Sequence, residues 1–105
     1  MTHVLDKLFA TIAARRGADP KLSYTAKLLA EGAERCAKKF GEEAVETVIA
    51  AAAGKPGEVV TESADVLYHL MVLWAASGVE PEQVWQTLAS REGQSGLEEK
   101  ASRTR

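Results

Sequence analysis

The sequence predicts an all-α fold, a four-helix-bundle-like arrangement completed by a second copy of the chain. Apolar residues recur at spacings of three and four along nearly the whole chain, the period of an amphipathic helix. Glycine and proline fall between these periodic segments, where helices stop and start. The run VLYHLMVLWAA, Val66 to Ala76, is apolar almost all round, as in a helix buried on most sides. A chain of 105 residues with 46% hydrophobic content has room for one domain and one core. So short a chain has too little surface to cover helices that are apolar over most of their circumference, and a homodimer is expected.

Each element has its own signals. Val4, Leu5, Leu8, Phe9 and Ile12 line one face of a first helix, which ends near RRGADP with Gly17 as its stop and Pro20 beyond. Ser23 is placed to N-cap a second helix, YTAKLLAEG. A third runs from about Ala33 to Ala53 and stops at Gly54. Pro56 then suits the first turn of a fourth, which reaches about Ser77 before Gly78. Pro81 opens a fifth through EQVWQTLASR. From Gly93 onward GQSGLEEKASRTR has too few apolar residues to pack and reads as a disordered tail. The division is therefore a helical domain over 1–92 and a tail over 93–105.

Composition excludes some partners. A formal net charge of -2 gives no field for nucleic acid or an acidic membrane surface. The single cysteine, Cys36, cannot close an intramolecular disulfide, and no apolar run reads as a signal sequence or membrane span. A cytoplasmic protein is expected.

The informative feature is acidic. Glu42, Glu43 and Glu46 fall within an arc of roughly 100° on the third helix, which also holds Arg35 and Lys39. On the fourth helix Asp65 and His69 lie within roughly 60° of Glu62, while Val59, Leu67, Leu70, Met71 and Trp74 take the other side. Salt bridges from Lys38 to Glu42 and from Lys39 to Glu43 are the plainer reading. However, Lys preceding Glu is the weaker order along a helix. Glu62 and Asp65 also run directly out of the apolar stretch, with no Lys or Arg on that helix after Lys55. A carboxylate at the edge of a core is costly unless it is paired or binds a cation. A hard divalent ion, Mg²⁺ or Mn²⁺, fits an all-oxygen set. Zinc fits less well, with one Cys and two His at no ligand spacing. His69 reads first as a hydrogen-bonded core histidine and second as support behind Asp65. Cys36, Phe40, Trp74 and Trp85 read as packing residues.

EEAVE followed by ESAD resembles the Glu-Glu-x-x-Glu and Glu-x-x-Asp pattern of the all-α, MazG-like nucleoside triphosphate pyrophosphohydrolases. The words GADPKLSYTAKLLAEG, KKFGEEAVETVIAA and ESADVLYHLMVLWA are similar to the phosphoribosyl-ATP pyrophosphatase family of histidine biosynthesis, over about Val4 to Leu88. No segment resembles the cyclohydrolase domain that some relatives carry at the amino end. The resemblance implies a MazG-type homodimer that hydrolyses phosphoribosyl-ATP to phosphoribosyl-AMP and pyrophosphate with Mg²⁺. By residue, it implies Glu43, Glu46, Glu62 and Asp65 as metal ligands, with Glu42, Glu43 and Glu46 in the catalytic set. Lys27, Arg35, Lys38 and Lys39 are the candidates for substrate phosphate, Lys27 first because it stands near a helix start. Two rivals stay open: a housekeeping pyrophosphatase for free or modified nucleoside triphosphates, and a noncatalytic helical dimer whose acidic stripe serves a partner.

Overall fold

The computed structural model describes residues 3–93. Among them are five helices and no strand: α1 (Val4–Ala14), α2 (Tyr24–Glu31), α3 (Ala33–Ala52), α4 (Pro56–Ser77) and α5 (Pro81–Ser90). The all-α expectation holds. Apart from Gly93, the expected tail lies outside the described residues.

Local chemistry sets the ends. Ser23 Oγ accepts from the Ala26 N–H at 3.1 Å, the N-cap that its position suggested. His3 caps α1 in the same way, its Nδ1 accepting from Leu5 N–H at 3.1 Å. Gly32, at φ 96°, ends α2 and starts α3 within one residue, a backbone state that favours glycine. Pro56 and Pro81 open α4 and α5, where a missing N–H costs nothing.

Only three residues join α3 to α4, so the two run antiparallel as the central hairpin, and α1 and α2 lean on one end of it. There the core forms, from Ile12 of α1, Leu28 and Leu29 of α2, Cys36 of α3, and Met71, Val72 and Ala75 of α4. Burying an Ile, Leu or Met side chain contributes about 1.5–3 kcal/mol, so this end carries most of the stability. Cys36 is wholly buried and its thiol donates to the Leu28 carbonyl at 3.3 Å. Burial first, and the Glu31 charge second, push that thiol up. Trp74 and Trp85 meet edge-on at 5.8 Å, which ties α5 to α4.

The other end of the hairpin is uncovered. Val45, Val48 and Ile49 of α3 and Val60 of α4 are 57–71% exposed. One sequence expectation needs correction here: α4 is long and apolar enough, by length and composition, to cross a membrane. Its charges crowd into the first half and leave the rest apolar. That second half supplies His69, Met71, Val72 and Ala75 to the core, but only 22% of the apolar stretch is buried, so α4 is not buried on most sides as its composition suggested.

Candidate active site

The carboxylates stand where core residues would otherwise be. On α3, Cys36, Glu43 and Ala50 are spaced by seven, two helical turns, and so share the side facing α4; Cys36 and Ala50 are buried and the Glu43 side chain is 16% exposed. On α4, Glu62 and Asp65 precede His69 and Val72 by the same interval, and those two are buried as well. The acidic site is thus the continuation of the core stripe into the uncovered half of the hairpin.

Glu43, Glu62 and Asp65 each turn a carboxylate oxygen toward the others, all within 4.8 Å. Glu62 Oε2 has no hydrogen-bond partner among the described residues, an unfavourable state for a carboxylate oxygen shielded from water. Among the described residues no Lys or Arg pairs with Glu43, Glu46, Glu62 or Asp65. Glu43 is pushed up from its ordinary 4.5 to about 7, first by the hydrogen bond it shares with Glu46, then by burial and by the charges of Glu46, Asp65 and Glu62. Glu62 is pushed up chiefly by burial and next by Glu46. Clustered carboxylates with no counter-charge shift in this direction. Convergent oxygens, an orphaned oxygen and an all-carboxylate donor set fit a hard divalent cation.

Glu46 borders this trio, and its proximity raises both Glu43 and Glu62. It also lines a cleft of about 240 Å³ with Ile49, Ala53, Lys55, Glu58 and Glu62. Glu42 stands outside the trio, half-exposed and paired with Lys39 at 3.3 Å. Neither salt bridge of the plainer reading, Lys38 to Glu42 or Lys39 to Glu43, is formed among the described residues, which agrees with the objections that the sequence raised to that reading. Glu43 is turned into the hairpin, away from solvent, and Lys39 takes Glu42 three residues on. The hydrogen bond to Glu42, more than the Tyr24 charge, pushes the Lys39 amine up.

The basic residues are dispersed. Arg35 reaches back to Glu31 at 3.6 Å. Lys38 is exposed and lies roughly 140° round α3 from Glu43. Lys27 is exposed in the first turns of α2, and neither it nor Lys38 makes an ion pair among the described residues. Lys55, which sequence reasoning passed over, enters the cleft wall from the start of α4 and pairs with Glu58 at 3.5 Å. Its available signal was its place beside Pro56, under two turns from Glu62.

His69 departs from the first reading. It is 6% exposed, but its Nδ1 has no partner, so it is not a satisfied core histidine. Its Nε2 faces Glu43 Oε1 at 3.9 Å. The ring sits edge-on to Tyr68 at 4.9 Å and to Tyr24 at 6.2 Å. Thr25 and Tyr68 share a hydrogen bond that fastens the start of α2 over this point. Burial first, then Lys39, hold the imidazole below its ordinary value, against the pull of Asp65 and Glu42.

Comparison with known proteins gives this geometry a family. Residues 5–92 match the family described as phosphoribosyl-ATP pyrophosphohydrolase. A protein of Azospirillum brasilense named phosphoribosyl-ATP pyrophosphatase is 60% identical over 100 residues, 95% of this chain and 90% of the relative. One of the same name from Parvibaculum lavamentivorans is 64% identical over 99 residues, 94% and 91% of the two chains. A third, from Paramagnetospirillum magneticum, is 58% identical over 104 residues, 99% and 95%. The match covers every helix that shapes the carboxylate cluster, and the chain belongs to the phosphoribosyl-ATP pyrophosphohydrolase family, a family of hydrolases.

Proposed function

We propose that the protein hydrolyses phosphoribosyl-ATP to phosphoribosyl-AMP and pyrophosphate in histidine biosynthesis, with Mg²⁺ as its cation and Mn²⁺ as a substitute. One observation carries the reading: the convergence of Glu43, Glu62 and Asp65 around an orphaned carboxylate oxygen, in a chain whose relatives bear the name of this activity. Those three residues, with Glu46 at the border, would hold the cation. When bound, it supplies charge neutralisation along the phosphate chain.

The chain's own residues do the rest. Glu46 is exposed at the mouth of the cleft, the position from which a carboxylate can orient a water and take its proton. Glu42, held by Lys39, is the less favoured base. Lys39 flanks the site, and Lys27 lies one turn from Tyr24, the ring beside His69. Lys38 faces away from the cluster, and Arg35 reaches back to Glu31 on α2, whereas Lys39 is paired with Glu42 of the acidic stripe itself. Water attacks the α phosphorus and intact pyrophosphate leaves. The buried, hydrogen-bonded Cys36 is unsuited to a covalent route. Residues 1–92 form the catalytic domain. The exposed Val45, Val48, Ile49 and Val60 support a homodimer, placed in the cytoplasm.

The test is pyrophosphate release from purified phosphoribosyl-ATP with and without Mg²⁺, against dCTP, dUTP and ATP. Cation-dependent release with phosphoribosyl-ATP preferred is the expected result, with ¹⁸O from labelled water appearing in the monophosphate. Orthophosphate release or no turnover overturns the assignment, and a preference for dCTP, dUTP or ATP returns the housekeeping reading.

A further inference from the structure

We infer that His69 is the positioning residue for Glu43: its Nε2–H, 3.9 Å from Glu43 Oε1, closes to a hydrogen bond with one oxygen of that carboxylate when the other turns to the cation, and the flanking rings of Tyr24 and Tyr68 fix the imidazole for this purpose. The inference rests on the cation-site reading of Glu43.

Three features of the ring carry it. Its Nδ1 is buried with no partner and its Nε2 faces Glu43 Oε1 at 3.9 Å. An orphaned N–H is rarer in a folded interior than an under-satisfied acceptor, so the proton belongs on Nε2, toward the carboxylate. The position is the meeting point of three helices: Tyr24 from α2, Glu43 from α3, and Tyr68 with His69 from α4. Edge-on contacts on the ring restrict its rotation, and the bond between Thr25 and Tyr68 keeps the α2 start in register with α4. Finally, a buried imidazole without a full hydrogen-bond complement is a poor packing choice beside Met71 and Val72. A carboxylate that must stay in one rotamer accounts for it, because ligand carboxylates depend on such outer hydrogen bonds for orientation.

Glutamine at 69 can put an amide N–H near the Nε2 position, asparagine can put one only near Nδ1, and phenylalanine fills the space with neither. Mn²⁺ binding followed by electron paramagnetic resonance should be within a few-fold of wild type in His69→Gln and about 10–100-fold weaker in His69→Phe, with His69→Asn resembling phenylalanine. In turnover, the Mg²⁺ needed for half-maximal rate should rise in His69→Phe while the rate at saturating Mg²⁺ recovers most of its value. In the wild type, ¹⁵N-labelled imidazole should show a protonated Nε2 whose resonance moves on addition of Mg²⁺. Equal Mn²⁺ affinity in wild type and a folded His69→Phe, or a proton found on Nδ1, overturns the inference. If His69→Phe does not fold, the glutamine–asparagine difference decides alone, and equal affinities in those two variants overturn it. Wild-type protein that binds no Mn²⁺ overturns the cation-site reading itself, a failure distinct from loss of discrimination among the variants.

Discussion

The two ends of the α3–α4 hairpin have the same backbone and opposite surroundings. At one end α1 and α2 cover it, and Cys36, Met71 and Val72 are 0–1% exposed. At the other, nothing within the described chain covers it: Glu43 and Glu62 are partly buried between the helices with Asp65 exposed beside them, and Val45, Val48, Ile49 and Val60 are exposed. A helix pair normally places apolar residues inside and polar residues out. Inverting that order costs stability, and the inversion is tolerated because the covered end supplies the core. Under the proposed function, the uncovered end would use this inversion twice, as an inner site for a cation and an outer face for a second chain. Glu43 and His69 sit at the boundary, where the buried stripe changes from apolar to acidic.

The largest expected effect breaks the comparison at the acidic end. Asp65→Asn or Glu62→Gln should lower pyrophosphate release by about 10²–10³-fold, because a ligand lost from a charge-neutralising site costs several kcal/mol of barrier. Mg²⁺ should raise the melting temperature of the wild type by linkage, and that rise should disappear in these variants, with metal-free stability little changed. Calorimetry with and without Mg²⁺ checks both; an intact Mg²⁺ increment in Asp65→Asn would return the cluster to the status of a solvated surface.

Next comes the outer face. If the proposed homodimer forms through this face, the wild type should scatter light as a dimer at micromolar concentration and Val48→Glu or Ile49→Glu as a monomer, since a charge placed centrally in an apolar interface stays desolvated and unpaired. The helical circular dichroism of these variants should be kept, because neither residue touches the core of the covered end. A wild type that is itself a monomer with full activity would remove the second copy from the proposal.

A smaller effect separates the ends by pH. A carboxyl whose folded value is raised binds its proton more tightly folded than unfolded, so its contribution is present below the unfolded value and is lost as pH rises through the folded one. For Glu43 that window runs from about 4.5 to about 7, with Glu62 shifted in the same direction. His69, held low, acts oppositely, gaining the folded state stability as pH rises toward 6.5, its ordinary value. Urea midpoints of the metal-free protein should therefore fall between pH 6.5 and 8, and Glu43→Gln should flatten the slope. A slope that survives in that variant would point to other groups.

The smallest effect is expected at the covered end. Cys36→Ser should leave activity intact and lower stability only modestly, because a hydroxyl can keep the bond to the Leu28 carbonyl and the site holds no nucleophilic role. Loss of turnover in a folded Cys36→Ser would bring a covalent route back into consideration.

Helix order, helix ends and the existence of an acidic site were legible in the chain because each rests on short-range rules. Period, caps and glycine stops act within a turn or two, and two acidic words on adjacent helices leave few arrangements of a tight hairpin. The spacing of Cys36, Glu43 and Ala50 also carried Glu43's burial in plain sight, as did that of Glu62 and His69. Tertiary structure alone decided the rest. Which lysine meets which carboxylate depends on how far a helix is rotated toward its neighbour, and so Lys39 pairs with Glu42 while Glu43 turns inward. Lys55 reaches the cleft only because the hairpin folds its start back beside Glu46. His69 faces Glu43, and not only its own helix neighbour Asp65, because α3 and α4 pack together along the hairpin, with Tyr24 of α2 edge-on to the ring. Local periodicity fixes which face a residue occupies, but its partner across the gap is set by packing between helices, where displacements of an ångström change the contact.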